Sequence, residues 1–166
     1  MSLDAAQLEL VTNFRERMEG EFRADDRFAS IARLDRPDGS TLASRFEVAP
    51  QIWLELAIRP FVPQVRVGIV TDDRWKSEDL EQAIEDSGDE MDEFVEFGLD
   101  SVGLRWPAPP VEHYRDQGKY YYFATPLEIA SLSELASPEL TAKVRKTLDG
   151  YYEAFRGAIE RLKAPA

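Results

Sequence analysis

The acidic run from Ser77 to Asp100 is the part of the sequence richest in side chains that could do chemistry. It holds eleven aspartates and glutamates and no lysine or arginine. Such a run can bind a cation, face a basic partner or imitate a nucleic-acid backbone, or it can be a solvated helical face. A calcium loop needs glycine at its sixth position. Counted from Asp86, the sixth residue is Met91, so we expect the solvated face.

His113 is the single histidine, and the chain has no cysteine. A histidine beside Glu112 and Asp116 has the composition of a general base or a metal ligand. A zinc site or a Ser-His triad needs further partners that this composition does not supply. We therefore expect a loop histidine hydrogen-bonded to backbone or solvent, and we predict no catalytic residue, no metal site and no cofactor.

Charge and motifs weigh against nucleotide and nucleic-acid chemistry. The segment from Gly98 to Gly103 lacks the glycines and the lysine of a phosphate-binding loop. The net charge of −12 disfavours direct binding of nucleic acid, which needs a basic footprint, and docking on anionic lipid. The stretch 49–70 is interrupted by charges and prolines, so it does not predict a membrane-spanning helix. We expect a cytoplasmic protein.

The strand over residues 51–59 supplies the best candidate for a binding surface. Ile52, Leu54, Leu56 and Ile58 point to one side, so Trp53 and its alternating neighbours point to the other. By the same alternation, arginines of adjacent strands join Trp53, and Trp with Arg is typical of contact surfaces. Cross-strand Arg–Glu pairing on a wet sheet face is the plainer interpretation. The predicted partner-binding residues are Trp53, Arg45, Arg59 and Arg66, with Arg105 able to join them.

The tyrosines Tyr120, Tyr121 and Tyr122, followed by Phe123, indicate a strand. They could stack nucleic-acid bases. A half-buried strand with tyrosines along its rim is the favoured interpretation, because no basic groove surrounds them.

Hydrophobic periodicity gives the elements that must position these residues. A helix is predicted over 4–22, ending near Gly20, then strands over 28–34, 41–48, 51–59 and 64–71. A helical piece capped by Ser77 and stopped by Gly88 follows, and then a second helical piece with Met91, Phe94 and Val95 facing in and Gly98 ending it. A short strand is predicted through Val102, Leu104 and Trp106, a loop over 107–118 and a strand over 119–125. The last helix begins at Ser137-Pro138 and carries Gly150 and Gly157 on one side, which predicts close packing there against the sheet or a second chain.

The resulting order is α-β-β-β-β-α-β-β-α. It predicts an α+β fold, in which a mainly antiparallel sheet is covered by helices on one face. At 166 residues, the prediction is one domain spanning 1–166.

This order resembles the type III secretion chaperone and YbjN-like fold family. The passage from Leu132 to Leu140, which leads into the last helix, is similar to the one between the last strand and last helix of that family. The family has three strands before its middle helix, whereas four are predicted here. Its members are small, acidic, dimeric and bind proteins, so the resemblance implies that role here.

We therefore predict a non-enzymatic acidic protein-binding module, chaperone-like or regulatory, that forms a homodimer. One alternative is an acidic mimic of nucleic acid acting through 77–100. The other is an enzyme that uses carboxylates and tyrosine. A pocket that gathers several acids with Tyr122 or His113 would favour the enzyme, and an open apolar-centred sheet face would favour the binding module.

Overall fold

The strands form one antiparallel sheet because short turns join most neighbours in the sequence. The computed structural model describes residues 2–163. Within them, six strands lie in the order β1-β2-β3-β4-β6-β5, all paired antiparallel. They are β1 (Ile31–Asp35), β2 (Leu42–Ala49), β3 (Ile52–Arg59), β4 (Gln64–Thr71), β5 (Glu112–Asp116) and β6 (Tyr120–Glu128).

The helices are α1 (Ala5–Arg23), α2 (Arg74–Ser87), α3 (Met91–Ser101) and α4 (Pro138–Lys163), with a short 3-10 helix at Leu132–Ala136. The apolar side of the sheet packs against them, and Leu54 and Ile58 are buried in this core as predicted. The 26-residue α4 crosses β2, β3 and β4. The α+β class and the helical covering of one sheet face are therefore confirmed.

The predicted strand at Val102, Leu104 and Trp106 is wrong. Gly103 adopts a left-handed φ of 85° just after α3, and the Leu104 amide donates back to the carbonyl of Leu99. This turn ends the helix. Leu104 and Trp106 are partly buried against the core, so their apolar alternation reflects packing onto helices rather than membership of the sheet.

The fifth strand lies instead at Glu112–Asp116, inside the stretch 107–118 that was predicted to be a loop. His113 is therefore a strand residue and not a loop residue. Its ring stacks on Phe123 at 4.1 Å, and its two nitrogens lie 2.9 Å from the carbonyl oxygen of Tyr122 and 2.8 Å from Glu81 Oε1. His113 thus bridges β5 and α2.

Several predicted helix ends are displaced. Asp73, not Ser77, caps α2 by accepting from the Lys76 amide, and α1 continues past Gly20 to Arg23. Gly88 ends α2 with a φ of 77°, as predicted, but Gly98 lies inside α3. The two predicted helical pieces are thus the separate helices α2 and α3.

Glycine permits the close approach of α3 and α4. A Cβ on Gly98 would lie 2.2 Å from the carbonyl oxygen of Gly150, and one on Gly150 would lie 2.4 Å from Leu99 Cδ2. Gly150 is therefore covered by α3 of the same chain. The alternative prediction, that the Gly150–Gly157 side receives a second chain, is wrong at Gly150.

Candidate functional site

The face of the sheet that points away from the helices carries the candidate site. Strand alternation places Trp53 and Glu55 of β3, Arg45 of β2 and Arg66 of β4 on this face. These side chains stand apart from the hydrophobic core. The sequence correctly predicted that Arg45, Trp53, Arg59 and Arg66 share one face.

The sheet is curled, so this face is concave. Arg36, which directly follows β1, donates to Asp116 at the end of β5 with both N–O distances at 2.9 Å. Strands β1 and β5 are the opposite edges of the sheet, so this ion pair joins the two edges at one end. We call the resulting surface the concave face.

A pocket of about 480 Å³ lies on the concave face under this ion pair. A second hollow of about 240 Å³ adjoins it and shares Arg36, Thr41, Arg66 and Asp116. The charged and aromatic residues that line the larger pocket are Asp35, Arg36, Asp38, Arg45, Glu55, Arg66, Asp116, Lys119, Tyr120 and Tyr122. The concave face is therefore polar and aromatic, not apolar-centred.

Arg45 is the most heavily engaged side chain in the pocket. Its Nε donates to Glu55 Oε2 at 2.8 Å and its Nη2 donates to the Tyr122 hydroxyl at 3.0 Å. Its guanidinium lies 4.3 Å from the centre of the Tyr120 ring and 5.4 Å from that of Trp53. These contacts leave only 5% of Arg45 exposed, which is typical of a guanidinium that orders a site.

Arg66 has aromatic neighbours but no hydrogen-bond acceptor among residues 2–163. Its guanidinium lies 5.0 Å from the centre of the Tyr114 ring and 5.8 Å from that of Tyr122, and these two rings stack at 4.9 Å. Within residues 2–163, Arg66 Nε and the Tyr114 hydroxyl are the buried side-chain polar atoms that have no hydrogen-bond partner. Such unpaired groups are uncommon in folded proteins, and each one calls for a physical explanation.

Burial controls the protonation of the titratable groups in the pocket. Loss of solvation raises the pKa of Glu55 above its ordinary value, against the attraction of Arg45 and Arg66. It raises the pKa of Tyr114 to about 12 and that of Tyr122 further still. Both tyrosines therefore remain protonated at neutral pH and act as hydrogen-bond donors or acceptors rather than as bases.

The pocket carboxylates already have partners. Asp35 lies at the edge of the pocket, but its carboxylate bonds to the helical side, where Arg15 of α1 donates to Oδ1 and Oδ2 at 2.6 and 2.9 Å. This contact lowers the pKa of Asp35 although burial opposes it. Glu55 accepts from Arg45, and Asp116 accepts from Arg36. Asp38 accepts from the Ser40 amide. These four acids are therefore each hydrogen-bonded to an arginine or a backbone amide and are not arranged as an unpaired general acid and base.

The structure also shows which residues the sequence analysis missed. Tyr114 and Asp116 lie on β5, where the sequence predicts a loop. Four of the five residues in Glu112–Asp116 are charged or histidine, so the run carries no apolar alternation that would indicate a strand. Arg105 lies outside any strand and does not join the concave face. Arg59 does, and it donates to Gln64 Oε1 at 2.9 Å.

The acidic segment 77–100 lies on α2, α3 and their connection. None of its eleven carboxylates is buried, as expected for a solvated face. Across residues 2–163, no group of three or more potential metal-ligating His, Asp or Glu side chains is found. Nor does any helix in that range combine the length and apolarity needed to cross a membrane.

Compared with protein-family models, curated proteins and solved structures, the chain matches none of them. The interpretation of the site therefore depends on its geometry.

Proposed function

We propose that the protein is a non-enzymatic, cytoplasmic binding module that holds a protein partner on its concave face. The observation that carries this proposal is the Arg66 guanidinium, which lies in an open pocket with its Nε unpaired. Trp53, Arg59 and Arg66 are the proposed contact residues, and Arg45 holds the Tyr120, Tyr122 and Glu55 side chains around them. The resemblance to type III secretion chaperones supports the same role.

The pocket brings Glu55 and Asp116 together with Tyr122 on a face that is not apolar-centred, which is the arrangement stated above to favour an enzyme. We nevertheless infer binding rather than catalysis, because the pocket acids already have partners. These carboxylates are held by arginines or a backbone amide, and the raised tyrosine pKa values disfavour proton abstraction. A curled sheet that presents arginine and aromatic rings provides the anchors that protein interfaces favour.

An affinity capture from the source organism's lysate tests the proposal. The full chain, Trp53→Ala and Arg66→Ala are compared at low and high salt. Arg156→Ala, an exposed arginine on α4, is the matched control. We expect proteins that the full chain and Arg156→Ala retain and that both concave-face variants lose. Retention of the same proteins by all four, with circular dichroism showing all four folded, contradicts the proposal.

A second candidate, a carboxylate enzyme, is favoured by one observation. Glu55 has a raised pKa and lies in a pocket together with Tyr122 and Asp116, and perturbed carboxyl groups in pockets mark many active sites. Hydrolysis of a panel of ester, phosphoester and glycoside substrates separates the two functions. Turnover by the full chain that Glu55→Gln abolishes would establish the enzyme.

Dimer formation is part of the proposal. The sequence predicts an interface on the outer face of the sheet or on the Gly150–Gly157 side of α4, and α3 covers the second of these at Gly150. We propose that the dimer uses the sheet, including its edge. The outer strand β1 offers an edge whose backbone groups are paired on one side only, and its residues 32–35 are exposed. Such edges readily pair with another chain.

A further inference from the structure

Arg66 is the arginine of the concave face whose guanidinium has no hydrogen-bond acceptor among residues 2–163. Arg36, Arg45 and Arg59 donate to Asp116, Glu55 and Gln64 respectively. Arg66 lies among them with its Nε shielded from water and unpaired in the part of the chain that the structure describes. A guanidinium in this state favours an anionic ligand, because binding the anion forms a charged hydrogen bond and breaks no hydrogen bond that the guanidinium already makes.

The surroundings of Arg66 are locally cationic in an acidic protein. The smaller hollow is lined by Arg36, Arg59 and Arg66 and by one carboxylate, Asp116. The chain as a whole has a net charge of −12. This contrast attracts a negative group to the concave face and repels it from the helical side of the molecule, where the segment 77–100 lies.

Tyr114 supplies a second donor beside the cation. Its ring lies under the Arg66 guanidinium, and its hydroxyl is shielded and unpaired. With a pKa raised to about 12, the hydroxyl keeps its proton at neutral pH. The guanidinium and the phenol that carry these two unpaired donors are therefore in direct contact, with the Arg66 guanidinium carbon 5.0 Å from the centre of the Tyr114 ring.

We propose that Arg66 and Tyr114 form a subsite for one carboxylate of the bound partner. This inference rests on the proposed function and names the chemistry that the concave face recognises. A carboxylate is planar, carries one charge and matches the fork of one guanidinium. A phosphate dianion carries more charge than one unpaired arginine balances, and Glu55 and Asp116 would oppose it. The aromatic walls formed by Tyr114, Tyr120 and Tyr122 suit the apolar stem that carries the carboxylate.

Nitrogen-15 NMR of the full chain tests the subsite directly, because the Nε–H group of Arg66 gives its own signal. The probes are N-acetyl-glutamate amide, its uncharged match N-acetyl-glutamine amide, acetate and inorganic phosphate. Arg66→Gln, Arg66→Lys and Tyr114→Phe are compared with Arg156→Gln, which neutralises an exposed arginine on α4.

The expected result is a saturable shift of the Arg66 Nε–H signal and of β4 and β5 amides with the glutamate probe. The glutamine probe leaves them unchanged. Affinity falls at least about tenfold in Arg66→Gln and Tyr114→Phe, less in Arg66→Lys, and stays constant in Arg156→Gln. Binding of acetate as tight as that of the glutamate probe assigns the site to any free carboxylate, and weaker binding of acetate assigns it to an acidic side chain.

Equal shifts with both amide probes, unchanged affinity in Arg66→Gln, or tighter binding of phosphate would overturn the carboxylate subsite. The lysate capture reads out the proposed function separately. Partners that depend on Trp53 and Arg66 while no carboxylate probe binds would retain the protein-binding function and refute only the subsite. Carboxylate binding without any captured partner would retain the carboxylate site and refute the protein-binding function.

Discussion

Arg36 and Asp116 lie at opposite edges of a six-stranded sheet, yet their side chains form an ion pair with N–O distances of 2.9 Å. Sheet twist alone does not bring edge strands into contact. The pair closes the concave face at the end where the larger pocket lies, and it connects β1 to β5 across four intervening strands. The pocket thus depends on two residues that are 80 positions apart in the chain.

Replacing Arg36 by glutamine should loosen the sheet edges with little effect on global stability. The pair is partly exposed, and such pairs contribute about 0–1 kcal/mol. Backbone amides of β1 and β5 should nevertheless exchange faster with solvent, because local opening no longer breaks a contact between the edges. Hydrogen exchange followed by mass spectrometry measures this. Arg156→Gln, which breaks exposed ion pairs on α4, is the control, and equal exchange in the two variants would contradict the prediction.

Truncation of the inward face of β3 should be costly. Leu54 and Ile58 are at most 1% exposed and lie in the main core. Leu54→Ala and Ile58→Ala should each reduce the free energy of unfolding by about 2–5 kcal/mol. Leu8→Ala on α1, where the side chain is exposed, should change it by less than about 0.5 kcal/mol. Urea denaturation tests all three variants, and losses below about 1 kcal/mol at both core positions would contradict the face assignment.

Gly98 and Gly157 should respond to alanine with opposite signs. A Cβ at Gly98 meets the Gly150 carbonyl at 2.2 Å, whereas one at Gly157 meets nothing within 4 Å. Gly98→Ala should destabilise the protein by about 1–3 kcal/mol through overpacking. Gly157→Ala should stabilise it by up to about 1 kcal/mol, because alanine favours a helix interior. Thermal and urea unfolding give both values, and stabilisation by both variants would mean that α3 and α4 are not in close contact.

The core could be predicted from the sequence because period-two alternation in β2, β3 and β4 repeats a local steric rule. The same rule predicted that Arg45, Trp53, Arg59 and Arg66 share one face. The rule wrongly predicted a strand at Val102–Trp106. Apolar alternation over five residues also occurs where the chain leaves a helix and packs its apolar side chains back onto it. A positive φ at Gly103 decided between the two, and that angle is not readable from composition.

The pocket could not be predicted because it depends on long-range geometry. Nothing local in Arg36 or Asp116 indicates that the sheet edges meet. A wet sheet face predicts a solvated Arg45, whereas Arg45 is buried by Tyr120 and Tyr122 from a strand 75 or more residues away in the sequence. Pairing of β4 with β6 brings these tyrosines to the arginines, and only tertiary structure fixes that neighbour.

A homodimer should be measurable in solution. Light scattering of the pure protein at high micromolar concentration should give twice the chain mass of 18.9 kDa. Because residues 32–35 of β1 form an exposed edge, Leu34→Lys should shift the equilibrium to monomer, as charge on an edge strand blocks pairing. Val62→Lys places the same charge on an exposed turn residue and should leave the dimer intact. A monomeric wild-type protein would remove the prediction and weaken the chaperone resemblance.

The acidic segment 77–100 provides the test between a solvated face and a contact surface. Neutralising Glu85, Glu93 and Glu96 to glutamine removes like-charge repulsion along α2 and α3, including the i, i+4 pairs Glu81–Glu85 and Asp92–Glu96. Each such pair costs only a few tenths of a kcal/mol, about 0.2–0.5, and salt screens it. Glutamine keeps an oxygen that can accept from the Ala108 amide, as Glu96 does now at 2.8 Å.

The triple variant should therefore be slightly more stable at low salt and no different at high salt, with binding of captured partners unchanged. Urea unfolding and stopped-flow association at both salt concentrations measure these effects. An association rate that falls at least about tenfold at low salt and recovers at high salt would instead identify the segment as a surface for a basic partner.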